Sequence, residues 1–366
     1  MSRYRVIQWG AGYLGTIALR FLLNSRDLEL VGVKCFTEEK AGRTAGELAG
    51  LAPAGVTATT SAEAVLAMDA DCVLYMPRDA LMDPSVPESP SSAWVDDLVA
   101  ILAAGKNVVT PLCSGTHYRH LRNGDRFRER IDEACVKGHS SVLFSGFDPG
   151  FSDLLAYTMS SAVGEIKRID TWEIVDYSTY PVHETLRMLG FGMRPDEIPT
   201  ELLDQVRHAT WGGVPHLMAE GLGVEIDSIA VDSDHYLAPG AFTAPGGLRV
   251  EAGTIAAIRF SVSGIRAGRP LVVVNHVTRL GAHTAPDWPT LGTDGGYRVE
   301  IDSYPPFRGD FPMGLPGGGG STLVDAMTMS SARCVNAVAT VVEAAPGYRF
   351  PHELPAFGGR HCVQSR

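Results

Sequence analysis

Tyr4-Arg-Val-Ile-Gln-Trp9, followed at once by Gly10-Ala-Gly-Tyr-Leu-Gly15, is the stretch that decides the fold. The residues before the glycines read as a short strand. Thr16–Leu23 has the length and apolar spacing of a helix, and Leu28-Glu-Leu-Val-Gly-Val-Lys-Cys-Phe36 reads as a second strand. Together they make a β–turn–α–β unit of about 30 residues, the size of a dinucleotide-binding opening. In this spacing Gly10 permits the tight turn, Gly12 lets the backbone approach a pyrophosphate, and Gly15 lets helix and strand pack closely. N–H groups at the helix start, around Tyr13 and Leu14, meet the phosphate charge. A glycine-rich turn in an unrelated α/β protein is the competing reading. The strand ending at Trp9 and the helix starting near Tyr13 favour the nucleotide.

Working outward, the alternation continues. Ala62–Met68 reads as helix, Asp71–Met76 as strand, Trp94–Ala104 as helix ending at Gly105, and Lys106–Thr110 as strand. Phe127–Lys137 is a further helix and Ser140–Ser145 a further strand. Strands alternating with helices predict a parallel, doubly wound Rossmann-type sheet covered on both faces. The pattern changes after Gly146-Phe-Asp-Pro-Gly-Phe151. A helix over Ser152–Ala162 is followed by extended runs at 166–177, 224–236, 248–264, 270–279 and 296–303. The last three are separated by Gly- or Pro-bearing turns, as in an antiparallel meander. The prediction is a second, α+β domain with an open, mostly antiparallel sheet. Met313–Gly320, with five glycines and a proline, is a loop, and Ser321–Ala344 is helical and placed to fold back onto the first domain. The expected domains are therefore residues 1–147 and 148–320, with 321–366 as a returning helical segment.

Composition bounds the function. The 366 residues carry a net charge of −11, which argues against nucleic acid or an anionic membrane as the main partner. Hydrophobic residues at 45% and charged residues at 20% are those of an ordinary globular protein. No stretch approaches the roughly 20 uninterrupted apolar residues of a membrane span. Arg3 and Arg5 lead straight into the first strand rather than into a signal peptide. The six cysteines form no CxxC pair and no zinc spacing, so no metal site is expected and a reducing, cytoplasmic compartment is. The absence of HExxH and GxSxG lowers hydrolase readings.

The end of the second strand selects between cofactors. An NAD enzyme carries an Asp or Glu about 20 residues past the last glycine to accept from the ribose 2′-OH. Here the strand ends Lys34-Cys35-Phe36, followed by Thr37. Glu38 and Glu39 lie in the loop, and Lys40 and Arg43 supply positive charge for a 2′-phosphate. These loop residues read either as a solvated turn or as an NADP site. NADP is the preferred reading, with NAD as the alternative. Met76 and Pro77, after the strand ending at Tyr75, flank the cofactor by position.

Gln8–Gly15, Leu28–Val33, Lys40-Ala-Gly-Arg-Thr-Ala-Gly-Glu-Leu-Ala-Gly50 and Gly105–Thr110 resemble the 2,4-diaminopentanoate dehydrogenase family. That family includes native amine dehydrogenases and is related in fold to dihydrodipicolinate reductases. Gly146–Phe151 is similar to its GxNPGF boundary, and Gly190-Phe-Gly192 and Arg333-Cys-Val-Asn-Ala337 resemble later landmarks. The resemblance spans nearly the whole chain. It implies NAD(P)H-dependent reduction of an imine, or the reverse deamination, with the substrate between the domains and homodimers through the second-domain sheet. It also implies a glutamate just after the Gly105–Thr110 strand to handle protons. This chain reads Pro111-Leu-Cys-Ser-Gly-Thr-His-Tyr118 there, with no carboxylate between Lys106 and Asp125. The HHxxKxDAPSGTA-type signature of the dihydrodipicolinate reductases is also absent.

Candidate chemistry must come from elsewhere. His117 and Tyr118 follow a parallel strand on its C-terminal side, where ligands bind in such sheets. A histidine titrates near neutrality and a tyrosine donates to a developing oxyanion. An ordinary solvated loop is the alternative. Asp148, in the Asn place of the boundary motif, either caps the following helix or lies near the reacting groups. Asn336 reads as a nicotinamide-side residue or as a satisfied buried amide. Trp172, Tyr177, Tyr180, His183 and Trp211 are candidates to line an apolar substrate pocket, with core or interface as the alternative. His276 reads as a cleft or an interface residue. The sequence thus predicts an NADP-preferring oxidoreductase acting on a small apolar amine, imine or ketone. A non-catalytic nucleotide-binding regulator is the alternative that the missing glutamate raises.

Overall fold

The computed structural model describes residues 3–77, 93–112, 124–180, 183–315, 321–359 and 362. The chain falls into two compact units: residues 1–151 with 327–366, and residues 152–326.

In the first unit, β1 (Tyr4–Trp9), α1 (Tyr13–Leu23) and β2 (Leu28–Lys34) form the predicted opening. Two short helices follow, α2 (Ala45–Leu48) and, after β3 (Ala58–Thr59), α3 (Ala62–Leu66). A capping box starts α2: Thr44 accepts from the Glu47 N–H while the Glu47 carboxylate accepts from the Thr44 N–H. Then come β4 (Cys72–Tyr75), α4 (Ala93–Ala103), β5 (Asn107–Thr110), α5 (Gly124–Gly138) and β6 (Ser141–Phe144). Among the described residues the sheet has seven strands in the order β15-β6-β5-β4-β1-β2-β3, all parallel, with β15 being Gly347–Arg349. Order reverses between β1 and β4, the switch point at which doubly wound sheets open a ligand crevice.

The second unit begins within α6 (Phe151–Ser160) and builds on β7 (Gly164–Asp176). Helices α7 (His183–Met188), α8 (Thr200–Trp211) and α9 (Gly213–Gly221) precede β8 (Ser228–Leu237), a small β9 (Phe242–Thr243) and β10 (Arg249–Val250) hairpin, and the long β11 (Ile255–Arg266) and β12 (Arg269–Arg279). β13 (Gly295–Tyr304) and β14 (Phe307–Pro312) complete a sheet that has six strands among the described residues, in the order β14-β13-β7-β12-β11-β8. The expected meander is corrected here. β11 and β12 do pair as a hairpin, but β7 lies between β12 and β13, parallel to the former and antiparallel to the latter. A central strand buried between two neighbours gains two ladders of backbone hydrogen bonds. The 15 residues from 280 to 294 then carry the chain across to the far side of β7.

One face of this sheet packs on helices. Ile169, Val272, Val274, Val299 and Ile301 meet Ala156 of α6 and Val214 and Met218 of α9 in a single apolar cluster. The last helix, α10 (Thr322–Val342), spends its C-terminal part in the first unit. Cys334, Val335, Ala337, Val338 and Val341 form its buried stripe and pack with Val6, Leu22, Leu74, Val109 and Leu143. Leu74, fully buried on central β4 in that cluster, tests the assignment. Leu74→Ala is expected to cost about 2–5 kcal/mol, whereas Leu202→Ala on the half-exposed face of α8 stays within about 0.5 kcal/mol. Denaturant unfolding of both variants checks it.

Candidate active site

Three glycines shape the turn between β1 and α1. Gly10 has φ +102°, a conformation that L side chains rarely adopt, and a Cβ there would stand 2.2 Å from the Met76 carbonyl oxygen. A Cβ on Gly15 would stand 2.0 Å from the Gly10 carbonyl oxygen. Gly12 differs, because nothing lies within 4 Å of where its Cβ would be. The protein's own packing therefore requires glycine at 10 and 15 but not at 12. Open space over Gly12, beside the first-turn N–H groups of α1, is the cradle that a phosphate fills. The residues present fit a dinucleotide. Tyr13 and Leu14 form the exposed and half-buried first turn, and no acidic side chain opposes an anion there.

Met76 lies directly beneath, its N–H donating to the Trp9 carbonyl at 2.7 Å, with Pro77 next in sequence. Lys40 reaches back to the turn, its Nζ donating to the Ala11 carbonyl at 2.8 Å. Thr37 is exposed at the start of the short helical turn that carries Lys40, and Arg43 points to the Glu47 carbonyl. The structure thus brings Gly10, Gly12, Gly15, Met76 and Lys40 together around one turn.

Lys34 was not assigned a role from sequence. It closes β2, 19 residues past Gly15, where an NAD enzyme would carry its acid. Its ammonium sits 3.5 Å from the centroid of the Phe36 ring and 5.4 Å from that of Trp9. Burial pulls its pKa down, and the nearby Asp97 carboxylate and Cys35 offset part of that. Asp97 on α4 accepts from the Tyr75 hydroxyl at 2.9 Å, and burial raises its pKa. The signal was readable, since a cation stands where an acid is expected.

After β6 the chain turns through Ser145–Gly150, closed by a bridge between Gly146 and Gly150. Asp148 lies in this turn, before the cis peptide to Pro149. Helix α10 borders the same edge. The Ser330 hydroxyl accepts from the Phe147 N–H at 3.1 Å, and the Ser331 hydroxyl lies 3.0 Å from the Leu14 carbonyl oxygen. Arg333 Nε donates to Ser145 Oγ at 3.4 Å. Asn336 is half-buried, with its amide 4.0 Å from the Cys362 sulfur. His117 and Tyr118 lie outside the described residues.

In the second unit a polar row crosses the helix-covered face. Tyr297, Glu173, His276 and Phe260 are successive cross-strand neighbours on β13, β7, β12 and β11. The Tyr297 hydroxyl donates to Glu173 Oε2 at 2.6 Å, and His276 Nδ1 lies 3.3 Å from Oε1. Phe260 stacks on the imidazole at 4.6 Å, and Trp211 closes over both rings. Burial alone would raise the Glu173 pKa. The hydrogen bond and charge of His276, with the Tyr297 hydroxyl, outweigh burial and hold it below the ordinary carboxylate value. Sequence reasoning missed Glu173, because only the strand register puts it beside His276.

The expected pocket residues divide. Trp172 alternates with Glu173 and so faces the opposite side of the sheet. Tyr177 and Tyr180 stack on each other at 5.7 Å. His183, at the start of α7, has Nε2 2.7 Å from the Gly246 carbonyl oxygen. Trp211 belongs to the row around His276.

Residues 151–360 match the family described as the 2,4-diaminopentanoate dehydrogenase C-terminal domain. The chain is 34% identical over 359 residues to an amine dehydrogenase of Streptomyces virginiae, an alignment covering 95% of each protein. Among solved structures it resembles an amine dehydrogenase from Mycobacterium smegmatis at a TM-score of 0.74. That match has 17% identity and covers 98% of both chains. It also resembles an apo scyllo-inositol dehydrogenase from Lactobacillus casei at a TM-score of 0.51 and 12% identity, over 92% of this chain and 88% of that one. These last two likenesses concern the fold. With the fitted dinucleotide turn, the matched domain and the full-length relative, the chain belongs to the 2,4-diaminopentanoate dehydrogenase family of NAD(P)-dependent oxidoreductases, together with the amine dehydrogenases.

Proposed function

We propose that this protein is an NADP-preferring amine dehydrogenase, interconverting a small apolar amine with its imine or ketone. The observation that carries the reading is the turn at Gly10–Gly15, open over Gly12, with a lysine rather than an acid closing β2. A nicotinamide cofactor, when bound, supplies or accepts the hydride. The protein's work is binding, orientation and proton handling. Backbone N–H groups of α1 and the turn hold the pyrophosphate. Lys40, now on the Ala11 carbonyl, and the exposed Thr37 stand where a 2′-phosphate needs charge and a hydroxyl donor. Protons on the substrate nitrogen are handled by the His117–Tyr118 loop, by Asp148 or by water, since no glutamate follows β5 as the family resemblance implies. Asn336 takes the nicotinamide side, and Tyr177, Tyr180, His183 and Trp172 are assigned to the substrate region and its surroundings. The non-catalytic reading is not favoured beside a full-length amine dehydrogenase relative.

Incubation with NADP+ and a panel of small primary amines, and with NADPH, ammonia and the matching ketones, is expected to give turnover. Silence across both panels while NADPH binds would sink the assignment. In calorimetry NADPH binds more tightly than NADH, and Lys40→Ala narrows that gap by about tenfold. Equal affinities in the unaltered protein would reverse the preference. The family resemblance also implies a homodimer through the second-domain sheet. Sedimentation equilibrium should return twice the chain mass, and a monomer at micromolar concentration rejects it.

Glu173 carries a stability prediction. Its carboxyl is held below the ordinary value of 4.5. The pair's contribution is therefore present above that pH and lost as pH falls through the lower folded value. Glu173→Gln is expected to cost on the order of 3 kcal/mol at neutral pH and to flatten the acid limb of the stability profile. An unchanged acid limb would show that the carboxylate is not held down.

A further inference from the structure

Four buried arginines can be compared. Arg207 meets Asp204, Arg298 meets Asp310 and the Thr290 carbonyl, and Arg279 donates to the Ala285 and Pro289 carbonyls. Arg333 has no such carboxylate or carbonyl acceptor among the described residues. It is 8% exposed, and its one hydrogen bond among the described residues is the long contact from Nε to Ser145 Oγ. Nη2 is fully buried with no acceptor. The guanidinium carbon instead lies 3.8 Å from the centroid of the Phe357 ring and 5.6 Å from that of Phe151. Burial lowers its pKa to about 10, so it remains charged at neutral pH. A guanidinium presents five donors, and leaving the buried Nη2 without an acceptor carries the desolvation cost of that group. Of the four buried arginines, only this one has a fully buried donor without an acceptor among the described residues, which is where a ligand oxygen would be received.

Its position says which oxygen. The 2′ end of a dinucleotide belongs at the end of β2, and its pyrophosphate over the β1–α1 turn. Continuing along the C-terminal edge, the next strands are β4, β5 and β6, and Arg333 is anchored on Ser145, the residue after β6. The same helix touches the first turn of α1 through Ser331, two residues earlier. We propose that Arg333 is a hydrogen-bond donor to the carboxamide oxygen of the nicotinamide half, the Phe151 and Phe357 rings flanking its planar head. This rests on the dinucleotide reading of the turn. It deepens that reading by assigning a specific residue to the reactive end of the cofactor.

Calorimetric titration of the unaltered protein, Arg333→Met and Arg333→Lys tests it with four probes: NADPH, NADH, and the corresponding ADP-ribose 2′-phosphate and ADP-ribose, which lack nicotinamide. Arg333→Met is expected to weaken the tighter of NADPH and NADH by about tenfold or more and to leave its truncated counterpart within about twofold. Its melting temperature without ligand stays level or rises, because an unmet buried charge has been replaced by an apolar chain. Equal losses with and without nicotinamide, or no loss at all, overturn the proposal, as does a lowered melting temperature with parallel losses. If Arg333→Met does not fold, Arg333→Lys carries the same comparison, its lost fork geometry weakening the full dinucleotide alone. An unaltered protein that binds none of the probes refutes the dinucleotide reading itself.

Discussion

Two backbone approaches, each too close for a β-carbon, govern the first unit. The Gly10 backbone lies against the Met76 carbonyl, and Gly15 lies against the carbonyl of Gly10. The first brings the end of β1 onto the end of β4, and the second presses α1 onto the turn. Everything that approaches the C-terminal edge of the sheet is placed relative to these contacts: Lys34 through its carbonyl, which accepts from the Gly10 N–H, Lys40 through Ala11, and α10 through Leu14. Gly12 is free of this constraint, and its open side fits the close approach of a pyrophosphate to the turn.

The buried charges in the two units are managed differently. In the second unit, Glu173 meets the Tyr297 hydroxyl on one oxygen and His276 on the other, beside the stacked Phe260 ring. In the first, Lys34 rests on ring faces, and Arg333 lies between rings with a single long hydrogen bond. Ring faces stabilise a cation without occupying all its hydrogens. They keep a cation in place while leaving it able to donate.

Legibility in the sequence followed the range of the interactions. The glycine turn, α1 and the early alternation were readable because each is fixed by neighbours within a few residues. The path of β7 was not, since its partners on β12 and β13 lie more than a hundred residues away and no local pattern distinguishes them from a meander. Helix α9 was missed for another reason. Gly213, Val214, Pro215, Leu217, Met218 and Ala219 are all buried, and only His216 and Glu220 mark a polar side, too little in nine residues to supply a clear period. Lys34 and Arg333 were both visible as residues. Only burial against aromatic rings separates them from ordinary surface cations.

The first unit is interrupted in the chain, and this orders its assembly. When residues 1–151 have left the ribosome, Leu74, Val109 and Leu143 still lack the helix that covers them, and β6 still lacks its outer neighbour β15. Both arrive only with residues 327–366, after residues 152–326 have been made. A nascent chain therefore carries an apolar sheet face and an open strand edge while residues 152–326 are made, the two features that invite association with other chains. The cofactor-binding unit is closed by residues 327–366, so nucleotide affinity doubles as a report that this returning segment has docked.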